Sequence, residues 1–296
     1  MPFLGELSAL LTAVLWSATS IIFAEATHRI GSVQLNINRL FFAAIWLFLT
    51  IFFGGISYTL SMTQIVFLSI SGIIGLVIGD SFLFKAYQHI GARYSMLLMA
   101  ISPAMTAIIG YFFLAENISW LGILGMIITL GGIALVILER NEIPNSKYKI
   151  SKIGILHGLL GALGQSGGLI FAKFAFNEGD IHGFVATFIR IASSIIVLFP
   201  LLLIAKKYKN PVSLYRNDLK ALGLTIAGSV VGPYLGITFS LIAIVHTKVG
   251  IAATLMSTMP IIMLPMIKYF YKENLSYRSI LGAVVAVAGI AILFLR

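Results

Sequence analysis

The sequence has no cysteine, and only 10% of its 296 residues are charged. The absence of cysteine excludes a disulfide framework, thiolate metal ligands and a cysteine nucleophile. Soluble domains carry about 25% charged residues. A chain with 59% hydrophobic residues and a mean hydropathy of +1.02 is therefore expected to be a membrane protein, with no room left for a soluble catalytic domain.

Acidic residues are scarce as well, since 10 aspartates and glutamates stand against 20 lysines and arginines, for a net charge of +10. In a soluble protein this balance would suggest nucleic acid as a partner, and we expect none here. The basic residues lie mostly in short loops between apolar runs, and one set of loops holds about fifteen of them. The other set, with the C-terminus, holds Lys173, Lys248 and Arg296. The positive-inside rule then predicts that the first set is cytoplasmic and that both termini are outside.

Long apolar runs occupy most of the chain. A spanning helix needs about 20 apolar residues, and a segment in lipid must satisfy its backbone polar groups internally. The runs do not alternate polar with apolar residues as barrel strands do. We predict ten transmembrane helices, at roughly 5–24, 33–53, 64–85, 93–113, 119–138, 154–174, 183–205, 219–241, 249–270 and 277–295.

An internal repeat relates the two halves of the chain. A shift of 157 residues superposes the third to fifth predicted helices on the eighth to tenth. The matched pairs include Gly75 with Gly232, Gly79 with Gly236, Leu98 with Leu255, Met99 with Met256, Pro103 with Pro260, and Glu116-Asn117 with Glu273-Asn274. Apolar composition alone does not place proline and a Glu-Asn pair in register. Slightly shorter shifts match Arg39 with Arg190 and Ser17 with Ser166.

The repeat predicts the domain organisation. We expect a first five-helix repeat at 1–138, a polar linker at 139–153 and a second five-helix repeat at 154–296. Because five is an odd number, the two repeats must cross the bilayer in opposite senses. The predicted fold class is an all-α membrane protein with ten transmembrane helices arranged as two inverted five-helix repeats. Such repeats enclose one central site that opens alternately to the two sides.

Two stretches of the sequence resemble a known family. They are S-P-A-M-T-A-I-I-G-Y-F-F-L-A-E-N-I-S at 102–119 and its second copy, M-P-I-I-M-L-P-M-I-K-Y-F-Y-K-E-N-L-S, at 259–276. Each is followed by a glycine-rich apolar helix. The pattern resembles the EamA family of the drug/metabolite transporter superfamily, and that family's arginine early in the second helix of each repeat falls on Arg39 and Arg190. The resemblance implies membrane transport of amino acids, other metabolites or drugs.

Charged residues inside predicted helices are the first candidates for function. Asp80 lies deep in the third helix, where an ionised carboxylate costs about 2.5–3.5 kcal/mol, so it should face a cavity or a partner. Arg39 is predicted at a similar depth, and we hypothesise that the two pair and close the inner side in one state. A static pair is the structural alternative. Arg190 could attract a carboxylate substrate, pair across the outer side, or simply anchor its helix.

Small and polar residues mark the middle of several helices and could line a central cavity, although close helix packing explains them equally well. Met99 and Met256 would suit an adaptable pocket, and Pro103 and Pro260 could serve as hinges. The full set of candidates for binding cargo is Trp16, Ser17, Asp80, Phe84, Met99, Gln165, Ser166, Tyr234, Thr238 and Met256.

Other classes of protein fit the sequence less well. An intramembrane aspartyl protease needs two facing carboxylates, but the repeat mate of Asp80 is Ile237. The lone His157 does not indicate a metal site, and no acidic ring or carbonyl-filter motif indicates a channel. We therefore expect no enzyme, cofactor or metal.

The expected function is that of a multi-pass secondary transporter of the cytoplasmic membrane, monomeric or homodimeric, that exports or exchanges amino acids or related metabolites. The alternative is an exporter of drugs, nucleotide-like molecules or sugar phosphates.

Overall fold

The computed structural model describes residues 3–138, 151–259, 261–262, 265–266 and 277–294. Every regular element within these ranges is a helix. The α-helices are α1 (Leu4–Ile30), α2 (Ser32–Phe53), α3 (Met62–Gly72), α4 (Asp80–Met99), α5 (Ser102–Leu114), α6 (Trp120–Leu138), α7 (Lys152–Asn177), α8 (Gly183–Ile204), α9 (Pro211–Asn217), α10 (Leu219–Ser229), α11 (Ile237–His246), α12 (Val249–Met256) and α13 (Tyr277–Phe294). Two π-helical segments, π1 (Ile73–Gly79) and π2 (Val230–Gly236), connect α3 to α4 and α10 to α11.

Six continuous helices of the described chain are long and apolar enough to cross a membrane. They are Leu4–Ile30, Ser32–Phe53, Met62–Gly91, Lys152–Asn177, Gly183–Ile204 and Leu219–His246. Shorter apolar helices cover Ser102–Leu114, Trp120–Leu135 and Ile280–Leu293. Large apolar side chains such as Phe53, Trp120 and Ile204 remain about four-fifths exposed, which is expected where the solvent is lipid. The protein is therefore a multi-pass helical membrane protein, while the count of ten spans stays a prediction.

The internal repeat is visible in the helix boundaries. A shift of 157 residues carries the bounds of α3 onto those of α10, and the bounds of π1 onto those of π2. It also carries Gly91, where α4 turns out of helical geometry with φ 73°, onto Lys248, the N-cap residue of α12 after the break that follows α11. The two halves therefore share the same helix interruptions, which hydrophobicity alone does not reveal.

The last helices of the two repeats, α6 and α13, pack against each other in an antiparallel pair. A Cβ atom added to Gly132 would lie 2.6 Å from the carbonyl oxygen of Gly282, and one added to Gly289 would lie 2.8 Å from that of Gly125. The repeat matches Gly125 with Gly282 and Gly132 with Gly289. Replacing each residue by its repeat mate therefore converts one of these two contacts into the other. A two-fold relation between opposed copies produces this reciprocity, as inverted repeats require.

The first helix of each repeat packs on the third segment of the other repeat, where the third segment is α3–π1–α4 in the first repeat and α10–π2–α11 in the second. Helix α7 lies against π1 and α4, where Gly164 meets Gly79, and α1 lies against π2 and α11, where Thr19 meets Gly232. Glycine permits these approaches because a Cβ on Gly164 would sit only 2.5 Å from the Cα of Gly79. Small residues let membrane helices come close enough for favourable van der Waals packing. This exchange brings both repeats to the same central region.

The predicted span at 93–113 is interrupted in the structure. Helix α4 ends at Met99, and α5 begins at Ser102. Pro103 lies in the first turn of α5, where its missing N–H costs no hydrogen bond, and not in the middle of one continuous helix as the sequence suggested. Pro260, its repeat mate, lies outside the described residues, as does most of the predicted linker at 139–153.

Candidate functional site

A central cavity of about 90 Å³ lies between the two repeats. Six of the residues singled out from the sequence lie on its wall, together with Arg190. The wall includes Trp16, Thr19, Ser20 and Phe23 of α1, Arg39 of α2, Leu76 of π1, Asp80, Leu83, Phe84, Tyr87, Met96 and Met99 of α4, Gln165 of α7, Arg190 of α8, Gly232 and Pro233 of π2, Ile237 and Ser240 of α11, and Met259. Both repeats therefore contribute to one site, although most of the wall belongs to the first.

Arg39 and Asp80 form an ion pair at this wall, in which the Arg39 Nη2 atom donates to Oδ2 of Asp80. Arg39 also donates from Nε and Nη2 to the side-chain oxygen of Asn36, at 3.1 and 2.9 Å. The guanidinium carbon lies 4.7 Å from the ring centroid of Phe84 and 5.6 Å from that of Phe23. Cation–π contacts and charged hydrogen bonds offset the cost of burying the guanidinium. The arginine is thereby held in one orientation.

Asn36 links this pair to the π-helical segment. Its side-chain amide donates to the carbonyl oxygen of Leu76 at 3.2 Å and to the hydroxyl of Ser81 at 3.0 Å. A π-helical turn inserts one residue into the helix and leaves backbone groups without their usual partners, which is why such turns occur at functional sites. Here the Leu76 carbonyl oxygen accepts a hydrogen bond from the Asn36 amide. The local departure from α-helical geometry is therefore connected by one side chain to the buried charges.

Arg190 lies at the cavity wall and is only 2% exposed. Among the described residues its guanidinium has no hydrogen-bond or ion-pair partner, and its Nε atom is buried without one. A Cβ atom on Gly75 would come within 3.1 Å of the Arg190 Nη2 atom, so glycine at this position of π1 makes room for the guanidinium. The two arginines matched by the repeat therefore have different surroundings.

Glycines of the π segments also shape the wall around Trp16 and Gln165. A Cβ on Gly236 would lie 2.6 Å from the indole Nε1 of Trp16, and one on Gly79 would lie 3.2 Å from the backbone nitrogen of Gln165. Trp16 and Gln165 occupy matched places on α1 and α7, one residue before Ser17 and Ser166. The repeat therefore presents an indole on one side of the cavity and an amide on the other.

Five candidates named from the sequence lie outside the cavity wall. Ser17 donates to the carbonyl oxygens of Ala13 and Met259, and Ser166 to those of Ala162 and Ser102. Met256 is buried, with 2% exposure.

The other two of these five, Tyr234 and Thr238, form hydrogen bonds with residues of α2 and α8. The Tyr234 hydroxyl lies 2.8 Å from that of Thr50. Thr238 hydrogen-bonds to the Thr187 hydroxyl and to the Tyr234 carbonyl. In this conformation all five serve helix packing.

Several wall residues were not singled out from the sequence. Thr19, Ser20 and Phe23 follow Trp16 on α1, and Tyr87 follows Asp80 and Phe84 on α4. Met96 lies beyond the interruption of α4 at Gly91. Tyr87 and Phe23 lie at helical spacing from Asp80 and Trp16 respectively, seven residues away in each case. Seven residues are nearly two helical turns. A search along the helix faces that carry Asp80 and Trp16 would therefore have identified both aromatic side chains.

The described residues contain no group of three or more histidine or carboxylate side chains that could hold a metal ion. His157 packs against the rings of His89 and Phe82, at centroid distances of 5.4 and 5.7 Å. The charged groups of the cavity are instead two arginines and one aspartate. Such a set can recognise polar organic groups by hydrogen bonds and charge.

Comparison with known proteins assigns the fold and the family. The family model for the EamA-like transporter family matches residues 3–138 and 152–295. No curated protein matches the chain significantly. Among solved structures, one titled only "Crystal structure of protein" has 16% sequence identity, a TM-score of 0.75, and an alignment that covers 97% of this chain and 94% of that one. At that identity the likeness establishes the fold alone.

Proposed function

Since the chain belongs to the EamA-like transporter family, whose members are membrane transporters of small molecules, we propose that it exports or exchanges amino acids or related small metabolites across the cytoplasmic membrane by alternating access. The observation that carries this proposal is the cavity between the two repeats, where Arg39, Asp80 and Arg190 converge. Ionisable groups inside a membrane protein are costly and typically mark a substrate or ion pathway.

Alternating access is supported by the two-fold relation of the repeats. Two similar halves that exchange conformations can open one site to either side. The Arg39–Asp80 pair joins α2 to α4 within the first repeat, and the corresponding contact in the second repeat lacks a carboxylate because Ile237 replaces aspartate. We propose that this pair closes the cytoplasmic side of the cavity in one state and separates in the other.

The size and lining of the cavity favour a small amphipathic cargo. Pockets that bury drug-sized ligands measure about 300–1,000 Å³, whereas this cavity measures about 90 Å³ in the conformation described. Its wall combines charged groups with the aromatic and thioether side chains of Trp16, Phe84 and Met99. An amino acid presents charged groups at one end and a side chain at the other, so it matches this division. A larger drug would require a wider opening of the two repeats.

Uptake into proteoliposomes tests the proposal. The purified protein is reconstituted, and the flux of labelled amino acids is followed with and without a pH gradient, against liposomes without protein. We expect saturable, stereospecific flux. Because Asp80 is the carboxylate at the cavity wall, stimulation by the gradient that is lost in Asp80→Asn would assign proton coupling to it. Absence of flux for every amino acid, combined with flux of drugs or sugar phosphates, would overturn the amino-acid assignment.

A further inference from the structure

The two arginines matched by the repeat differ in how their charge is compensated. Arg39 pairs with Asp80 on the third segment of its own repeat. The position that corresponds to Asp80 on the third segment of the second repeat is Ile237, which also lies on the cavity wall. Arg190 therefore lacks the carboxylate that its mate possesses. The repeat itself defines where an acidic group is missing.

The surroundings of Arg190 make this absence energetically important. The guanidinium is 2% exposed, and within the described residues it has neither an ion-pair nor a hydrogen-bond partner. Burial of a charge is strongly unfavourable unless the charge is paired and hydrogen-bonded. Asp80 attracts both arginines but forms an ion pair only with Arg39, so the three charged side chains of the described wall carry one net positive charge. An anionic group that entered the cavity would restore neutrality.

The chemistry of the wall restricts what this anion is. A guanidinium presents a planar fork of N–H donors that matches a carboxylate with two parallel hydrogen bonds. Much of the remaining wall is apolar and aromatic, with Phe84 and Tyr87 before the interruption of α4 at Gly91 and Met96 and Met99 after it. A carboxylate joined to an apolar or aromatic body satisfies both features, whereas a phosphate ester of a sugar would place hydroxyl groups against rings and thioethers.

We propose that Arg190 is the cargo carboxylate receptor, and that the transported molecule supplies the negative charge that Ile237 does not. This inference rests on the proposed function, because it assigns the substrate class of the same cavity. It makes an unmodified carboxylate obligatory in the cargo. It also predicts that the ammonium group of an amino acid is less important for recognition than its carboxylate.

Equilibrium binding to the purified protein in nanodiscs tests the assignment separately from transport. The probes are phenylalanine, phenylalanine amide, 2-phenylethylamine and 3-phenylpropionate, with inorganic phosphate as a competing anion. We expect the two carboxylates to bind at least about 100-fold more tightly than the amide and the amine, as is typical when one partner of a buried charge pair is removed. Arg190→Gln should abolish this preference, and Arg190→Lys should retain part of it.

Arg216→Gln, at an exposed position of α9, is the matched control and should bind as the unaltered protein does. If Arg190→Gln fails to fold, the comparison of the four probes on the unaltered protein still tests whether the carboxylate is required. Equal binding of acid, amide and amine, absence of carboxylate binding, tighter binding of phosphate, or an intact preference in a folded Arg190→Gln variant would each overturn the assignment. Carboxylate-selective binding without flux would instead preserve it and reject the transport function.

Discussion

Arg39 on α2 and Asp80 on α4 form an ion pair that crosses the wall of the central cavity. Their side chains are only 6% and 15% exposed. Removal of one partner from a buried pair leaves the other charge uncompensated, which costs about 3–5 kcal/mol, whereas removal of both can be nearly neutral. The pair therefore couples the packing of α2 against α4 to the charge of each residue.

We expect Asp80→Asn and Arg39→Gln each to lower the unfolding free energy by about 3 kcal/mol. The double variant should recover at least half of the summed loss, because neither charge then remains alone. Chemical denaturation of the four purified proteins in detergent provides the double-mutant cycle. Asp180→Asn, at an exposed loop position, is the control. Strictly additive losses would show that the two residues are not coupled. Transport by Asp80→Asn at the wild-type rate at all pH values would reject the gating role.

The close contact between α6 and α13 predicts that a larger side chain at Gly132 destabilises the fold. A Cβ on Gly132 would meet the backbone nitrogen of Ala286 at 2.4 Å, and backbone cannot move aside as a flexible side chain can. We expect Gly132→Ala to lower stability by about 1–3 kcal/mol, the usual cost of overpacking. Gly131→Ala is the matched control, since nothing lies within 4 Å of a Cβ there. Thermal melting in detergent compares the two, and equal melting temperatures would contradict the observed packing.

The sequence predicted the repeat and its register because Gly, Pro and Glu-Asn recur at one spacing that apolar composition does not produce. It did not predict π1 and π2. In a membrane helix that is apolar on most faces, hydrophobic periodicity carries little information, so one inserted residue leaves no signal. The interruption of the 93–113 span was missed for a similar reason. Pro103 indicated a bend, but the chain instead begins a new helix at Ser102.

The structure places at the cavity wall all the residues singled out because their charge is costly to bury. Arg39, Asp80 and Arg190 all lie at the cavity wall, because a charge in a membrane needs a partner or a cavity. Hydroxyl residues were less informative. Ser166 donates to the carbonyl oxygen four residues earlier in its own helix, at 2.9 Å, and Thr238 does the same at 2.6 Å. A hydroxyl that is satisfied within its helix can face any neighbour, so its polarity does not indicate the cavity.

A loop of the first repeat caps a helix of the second. The Glu116 carboxylate accepts a hydrogen bond from the backbone N–H of Val249 at 2.8 Å, while Lys248 at the N-cap of α12 provides no side-chain cap. Loss of an N-terminal cap costs about 1 kcal/mol. We expect Glu116→Ala to lower the unfolding free energy by this amount, and Glu116→Gln to retain most of the stability because an amide oxygen also accepts. Equal loss in both variants, measured by denaturant titration, would attribute the effect to charge alone.

Asp218, before α10, gives a prediction about pH outside the membrane. Its carboxylate accepts from the backbone N–H of Ala221 at 2.9 Å and from Arg29 Nη1 at 3.0 Å. These hydrogen bonds, the backbone one first, lower the pKa of Asp218 from its usual 3.8. A carboxyl whose pKa falls on folding stabilises the protein fully above its unfolded pKa, and this contribution is lost as the pH falls through the lower folded pKa.

We expect Asp218→Ala to melt at a lower temperature than Asp218→Asn at pH 7, because asparagine still caps the helix but cannot pair with Arg29. The difference between Asp218→Asn and the unaltered protein should be constant from pH 7 to about pH 5 and should shrink below about pH 4, because the carboxyl of the unfolded chain then takes up a proton while the native carboxylate is still ionised. Melting curves in detergent across this range provide the measurement, with added salt to weaken the exposed pair. A difference that grows as the pH falls would mean that the Asp218 pKa is raised on folding, which the two hydrogen bonds exclude.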